Sequence, residues 1–218
     1  MRYLPVLVRS PLAAARRRPI LHRLAAVLAA ILLGMAGYLL GASRPTPDAP
    51  RDGTVDVGFL RDMIVHHAQA VTLAMIVDGR ATVPAVREMA DEIATGQQRE
   101  VGVMAGWLQQ WGLPDSTTAA PMAWMAHPPA AQPDADPPMP GMATRRDVAR
   151  LAVTRDRQAD VLFCRLMLPH HLSALHMVDD VIARGDRPEV IALAMQMRTG
   201  QQNEINLLNR ILTELDAA

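Results

Sequence analysis

Shifted by 104 residues, the chain aligns on itself without a gap, 56–112 over 160–216. Both copies carry Asp (Asp56, Asp160), Phe (Phe59, Phe163), Met (Met63, Met167) and a His-His pair (His66–His67, His170–His171). The match continues at Pro84/Pro188, Gly96/Gly200, Gln97/Gln201 and Glu100/Glu204. Identity at so many spaced positions is an internal duplication, so the fold must be two similar units packed together. Each copy reads as two helical stretches with a break between them, at Gly79–Thr82 in the first and Gly185–Arg187 in the second. Pro84 and Pro188 then stand in a first helical turn, where proline is tolerated. Two such hairpins predict an all-α four-helix bundle with no strand.

The faces of these helices locate the polar residues. At about 100° per residue, Phe59, Met63, His66, His67 and Ala70 share one face, which Leu73 and Val77 extend. In the next helix Val86, Met89, Ile93, Gln97, Glu100, Met104 and Leu108 share a face, with Gln98 off it. The second copy repeats the pattern with Gln201 and Glu204. Counted from the hairpin turn at about 1.5 Å per residue, His66, Gln97 and Glu100 lie at levels agreeing within about one turn. The prediction is one core layer of His, His, Gln and Glu per hairpin, with Glu beside His. The layers meet if the hairpins pack about a pseudo-twofold axis. Burying four polar groups per hairpin is costly unless they are paired. Two arrangements meet that need: a metal site, or an unmetallated network in which Glu accepts from imidazole N–H. Pro169, where the first copy has Val65, removes a helical hydrogen bond and is expected to bend the helix beside the layer.

Outside the repeat, Arg2, Arg9, Arg16, Arg17, Arg18 and Arg23 precede an uncharged apolar run, Leu24–Ala42. The run is long enough to span a bilayer as a transmembrane helix. A cleavable signal has a shorter apolar core, so an uncleaved anchor is preferred, with cleavage near Gly41–Ser43 as the alternative. Either way the arginines stay cytoplasmic and the rest is extracytoplasmic. The expected organisation is a basic segment (1–23), an anchor or signal (24–43), a tether (44–54) and a bundle (55–218). Within the bundle, hairpin 55–112 is followed by a Pro- and Met-rich linker (113–143) and hairpin 144–218. Thr144 and Asp147 predict a helix cap at the linker's end. Met122, Met125, Met139, Met142, His127 and Trp124 of the linker must either dock on the bundle or catch metal. Met89, Met104, Met195 and Met197 read as core filler, the usual role of Met at helical spacing.

Other functions lack their signatures. The formal net charge of zero gives no reason to expect a nucleic-acid partner. The single cysteine, Cys164, excludes an internal disulfide and a CxxC metal knuckle, and reads as a small core thiol. There is no Glu-x-x-His helix motif, nucleophile elbow, P-loop or dinucleotide fingerprint, so no catalytic residue and no enzyme is expected.

Phe59, Met63-x-x-His66-His67, Ala70 and Gln97-Gln98-x-Glu100, with their second-copy equivalents, resemble the bacterial family "domain of unknown function 305". The linker, "PMAWMAHPP" followed by "MPGM", resembles that of exported, duplicated members, and the resemblance covers 55–216. It implies a ferritin-like bundle. Some members are periplasmic copper- or silver-binding proteins tied to metal tolerance, which implies a metal ion, Cu(I) above all, as partner. On that basis Met63, His66, His67, Met167, His170 and His171 become candidate ligands, and thioether with imidazole suits Cu(I) or Ag(I). Adjacent histidines lie about 100° apart around a helix, so one per pair is expected as ligand. The other would hold Gln97, Glu100, Gln201 or Glu204 behind the site. The family's second Met-Ala departs here, with Met75 in one copy and His176–Met177 in the other. The expectation is an exported, membrane-tethered metal-binding protein. The alternative is a structural or partner-binding bundle with a hydrogen-bonded His/Glu core and no metal.

Overall fold

A computed structural model describes residues 12–42, 49–128 and 139–217, side chains at 12–21 and 40–42 excepted. Six helices and no strand occur among the described residues: α1 (Leu12–Ala42), α2 (Val55–Asp78), α3 (Pro84–Gln110), α4 (Arg145–Val153), α5 (Asp156–Arg184) and α6 (Pro188–Ala217). The chain divides into two units, one up to Asp48 and one from Ala49. In the first, α1 contains a window, His22–Leu39, long and apolar enough to cross a membrane, with mean hydropathy 1.6 and no buried residue. Arg2, Arg9, Ser43 and residues 44–48 of the expected tether lie outside the described residues. α5 passes the same length and hydropathy test, but half of it is buried, as in a core helix.

The second unit is built from the two expected hairpins, α2–α3 and α5–α6. Their turns fall at the predicted breaks, and Pro84 and Pro188 open α3 and α6. The hairpins join through α2 and α5, while α3 and α6 barely touch. The pairing is antiparallel, which splits the core into two halves. One half joins Val57, Phe59, Leu60 and Met63 to Ala174, Met177, Val178 and Val181. The other joins Ala70, Leu73 and Val77 to Ala159, Phe163, Cys164 and Met167. The histidines sit on the chain between the two halves. Cys164 is fully buried, and burial first, then nearby Asp160, pushes its thiol up to about 12.

Two aspartates tie the hairpins together. Asp160, at the start of α5, accepts from the Thr82 hydroxyl at 2.7 Å and the Thr82 amide at 3.1 Å, just before α3. Asp56, at the start of α2, accepts from the Asp186 and Arg187 amides, both at 3.1 Å, just before α6. Both carboxylates are buried. Each copy thus supplies an anion to the positive N-terminal end of the other copy's second helix.

The linker docks through polar residues of α2. Asp62 accepts from the Met122 amide at 2.7 Å and the Trp124 indole N–H at 2.8 Å. Burial raises the Asp62 carboxyl, against those two donors and Arg61. The Gln69 amide takes both backbone groups of Ala143, donating to its carbonyl at 2.9 Å and accepting from its N–H at 2.7 Å. Gly58 lets Trp124 close on α2, since a Cβ there would meet the indole at 2.4 Å. Met122 and Met139 are buried in the core half around Phe59, while His127 is exposed. At the far end, Thr144 and Asp147 form the expected capping box.

Three expectations are corrected or refined, and Pro169 is located. The second hairpin is preceded by a separate short helix, α4, broken from α5 at Thr154–Arg155 with Asp156 at φ 54°. Met195 is half exposed rather than core filler, whereas Met89, Met104 and Met197 are buried. Asp52, inside the expected tether, pairs with Arg61 and belongs to the folded unit. Pro169 lies inside α5 without ending it.

Candidate metal centre

The four histidines of the two His-His pairs are buried, and they converge where α2 and α5 cross. His66 and His170, from different copies, face each other with ring centroids 3.8 Å apart and planes tilted by 38°. His67 lies 6.4 Å from His66, and His171 lies 6.0 Å from His170. The two predicted layers have therefore met across the pseudo-twofold axis.

Glutamate takes the outer imidazole of each pair. A carboxylate only accepts, so His67 Nε2–H donates to Glu100 Oε2 at 2.9 Å. Likewise His171 Nε2–H donates to Glu204 Oε2 at 2.6 Å. The expected approach of Glu to His is present in both copies, at identical sequence separation. The other ring nitrogen, Nδ1, is buried without a hydrogen-bond partner in both His67 and His171.

The inner pair is different. No side chain partners a ring nitrogen of His66 or of His170, although the His66 backbone lies near enough to the His170 ring to favour its protonated form. Burial holds both imidazoles well below the usual histidine range, and the neighbouring imidazoles push the same way, opposed at His170 by the His66 backbone. Both are therefore neutral near pH 7, with lone pairs free to bind a metal. Gln97 and Gln201 reach the same layer from α3 and α6. They are 5% and 4% exposed, and their Oε1 atoms are also unpartnered.

The six candidate ligands divide. His66, His67, His170 and His171 are brought together. Met63 and Met167 are fully buried one turn away, but they fall in opposite halves of the core. Gln97, Glu100, Gln201 and Glu204 all stand around the layer, as the helical faces predicted. Among the described residues, no three His, Cys, Asp or Glu side chains form a ready-made cluster for a metal. Soft monovalent ions do not need such a cluster, since they accept imidazole and thioether. Met75 and His176 are exposed and Met177 is buried in the core, so none of these three joins the layer. The sequence reading missed one buried polar pair, Asp56 and Asp160. Their presence in both copies was the available signal, but nothing local names a partner over 70 residues away.

Residues 56–212 match the family described as "Domain of unknown function (DUF305)". No curated protein matches the chain significantly. Among solved structures, a DUF305 protein from Streptomyces coelicolor, described as secreted, is 36% identical at TM-score 0.70, over 76% of this chain and 96% of its own. A DUF305 fragment from Deinococcus radiodurans is 31% identical at TM-score 0.61, over 77% and 99%. CopM in its Cu(I)-bound form is 25% identical at TM-score 0.57, over 73% and 96%.

Proposed function

The chain belongs to the DUF305 family, and from that premise we propose that it is an exported, membrane-tethered protein that binds copper or silver ions. The observation that carries this reading is the facing pair His66 and His170, whose four ring nitrogens are buried without a side-chain partner. Such atoms are costly to bury, and a bound ion would take up the lone-pair nitrogen of each neutral ring. CopM, similar to this chain, binds Cu(I) and Cu(II), which supports copper as the cargo. The apolar α1 and a similar protein described as secreted support export.

In this reading His66 and His170 hold the ion, and Met63 or Met167 supplies thioether donors from one turn away. His67 and His171 stand beside them, each oriented by its glutamate, an arrangement that fixes tautomer and raises basicity. The ion is cargo, held or handed on, and no chemical transformation is assigned. The apolar halves above and below exclude water, which favours soft ligands over hydration. A metal-free hydrogen-bonded core accounts for His67–Glu100 and His171–Glu204 but gives His66 and His170 no side-chain partner.

The test is Cu(I) and Ag(I) titration of the full-length chain in detergent beside the His66→Ala, His67→Ala, His170→Ala, His171→Ala variant. Tight binding should be lost in a variant of unchanged helicity. Binding retained in that folded variant would transfer the site to the linker, and no binding by the wild type would leave the metal-free core.

A further inference from the structure

α3 and α6 lie side by side across the pseudo-twofold axis but barely touch. Between them is a cavity of about 50 Å³ lined by Gly96, Gln97 and Glu100 from one copy and Gly200, Gln201 and Glu204 from the other, with Met197. No imidazole lines it, and it reaches the layer through Glu100 and Glu204, which bind His67 and His171. The glutamates that bind His67 and His171 form its walls, and their side chains keep 13% and 22% exposure. Gln97 and Gln201 are each more than nine-tenths buried, line the cavity, and leave Oε1 without a partner.

The glycines are the second observation. Glycine inside a helix is unfavourable by about 1 kcal/mol relative to alanine. Neither Gly96 nor Gly200 has a positive φ, and a Cβ at either would meet nothing within 4 Å. Backbone geometry and close packing therefore do not require them. Gly102 and Gly106 are equally uncrowded, but the second copy has Asn206 and Arg210 there, while Gly96 and Gly200 recur together. What sets the recurring pair apart is position: both line the cavity, where a long side chain would narrow it.

We propose that the α3–α6 cleft is the loading port of the imidazole layer, a transit site for a soft monovalent cation. Resting on the metal-binding reading above, it assigns the cleft four oxygen donors: the Glu100 and Glu204 carboxylates and the Gln97 and Gln201 amide oxygens. The two carboxylates attract a cation to the mouth. Oxygen is a poor donor to Cu(I), so the port holds the ion weakly and the imidazoles beneath it take the ion on. Gly96 and Gly200 keep the mouth open.

Stopped-flow loading of the full chain with Cu(I), supplied in acetonitrile, separates the port from the site. Gly96→Leu with Gly200→Leu should load at least tenfold more slowly, while final stoichiometry, affinity and helicity stay at wild-type values. The milder Gly96→Ala, Gly200→Ala pair should slow loading less. Gln97→Ala with Gln201→Ala widens the mouth but removes two donors, and should also slow loading. Wild-type rates in the leucine variant would overturn the port while leaving the metal site standing. A wild type that takes up no Cu(I) would overturn both.

Discussion

His66 and His170 are neutral because they are buried, and pH exposes the cost of that state. An unfolded imidazole titrates near 6.5, whereas these two are held well below that value. Above about pH 6.5 neither state binds the proton and stability is independent of the pair. Below it the unfolded chain binds protons that the native state refuses, so stability falls with pH, by roughly 1 kcal/mol per unit for each histidine. Urea midpoints of the metal-free chain at pH 7.5 and 5.5 should show the decline, and His66→Leu with His170→Leu should flatten it. That double variant should also be more stable at pH 7.5, by about 1–3 kcal/mol, because it replaces unpartnered buried polar atoms with apolar ones. A loss of stability there would mean that the pair is hydrogen-bonded after all. The layer was legible in the sequence because helical spacing fixes both face and height. Which histidine of each pair would take the glutamate was not, since neighbours about 100° apart reach the same layer from different angles. Nor was the separation of Met63 from Met167, which follows from the antiparallel packing of two copies rather than from either copy alone.

Helix existence, hairpin turns and the cap at Thr144 are local properties, and each stood in the sequence as a period, a break or a capping pair. The joint between hairpins is not local. Asp56 and Asp160 were visible only as repeated letters, and nothing in their own helices says that each binds the opposite turn. Removing Asp160 strands two amides and a hydroxyl of Thr82–Val83 in a half-buried place. Asp160→Ala should therefore cost about 2–4 kcal/mol, and Asp56→Ala, with two amides to lose, roughly 2 kcal/mol. Because each cut loosens one hairpin turn from the other copy, hydrogen exchange should rise at 82–83 in the first variant and at 186–187 in the second. Protection unchanged at those amides would deny the cross-capping role. The extra helix α4 escaped the sequence reading because its break from α5, at Thr154–Arg155, carries neither Gly nor Pro. The positive φ of Asp156 makes that break, with a residue that tolerates the left-handed region.

At the scale of the whole chain, α1 and the bundle make separate predictions. An anchor that stays attached requires full-length protein to sediment with membranes, and a mature N-terminus near Ser43 would instead mean a cleaved signal. The bundle's prediction is about number. A duplicated motif invites one ion per copy, but the inner histidines come from different copies and face each other at 3.8 Å. On the copper-binding reading, each copy therefore supplies half of a single site. The full chain should therefore bind one Cu(I) in the layer, and either His66→Ala or His170→Ala alone should abolish tight binding rather than halve it. Native mass spectrometry reads the count directly. One ion held by both hairpins also ties α2 to α5, so the bundle as a whole should gain stability on loading, by about 4 kcal/mol at a free ion concentration 1,000 times Kd. That gain should disappear in either single variant. Two ions in the wild type, or half the capacity and half the thermal shift left in His170→Ala, would assign a separate site to each hairpin and make the contact at the axis incidental.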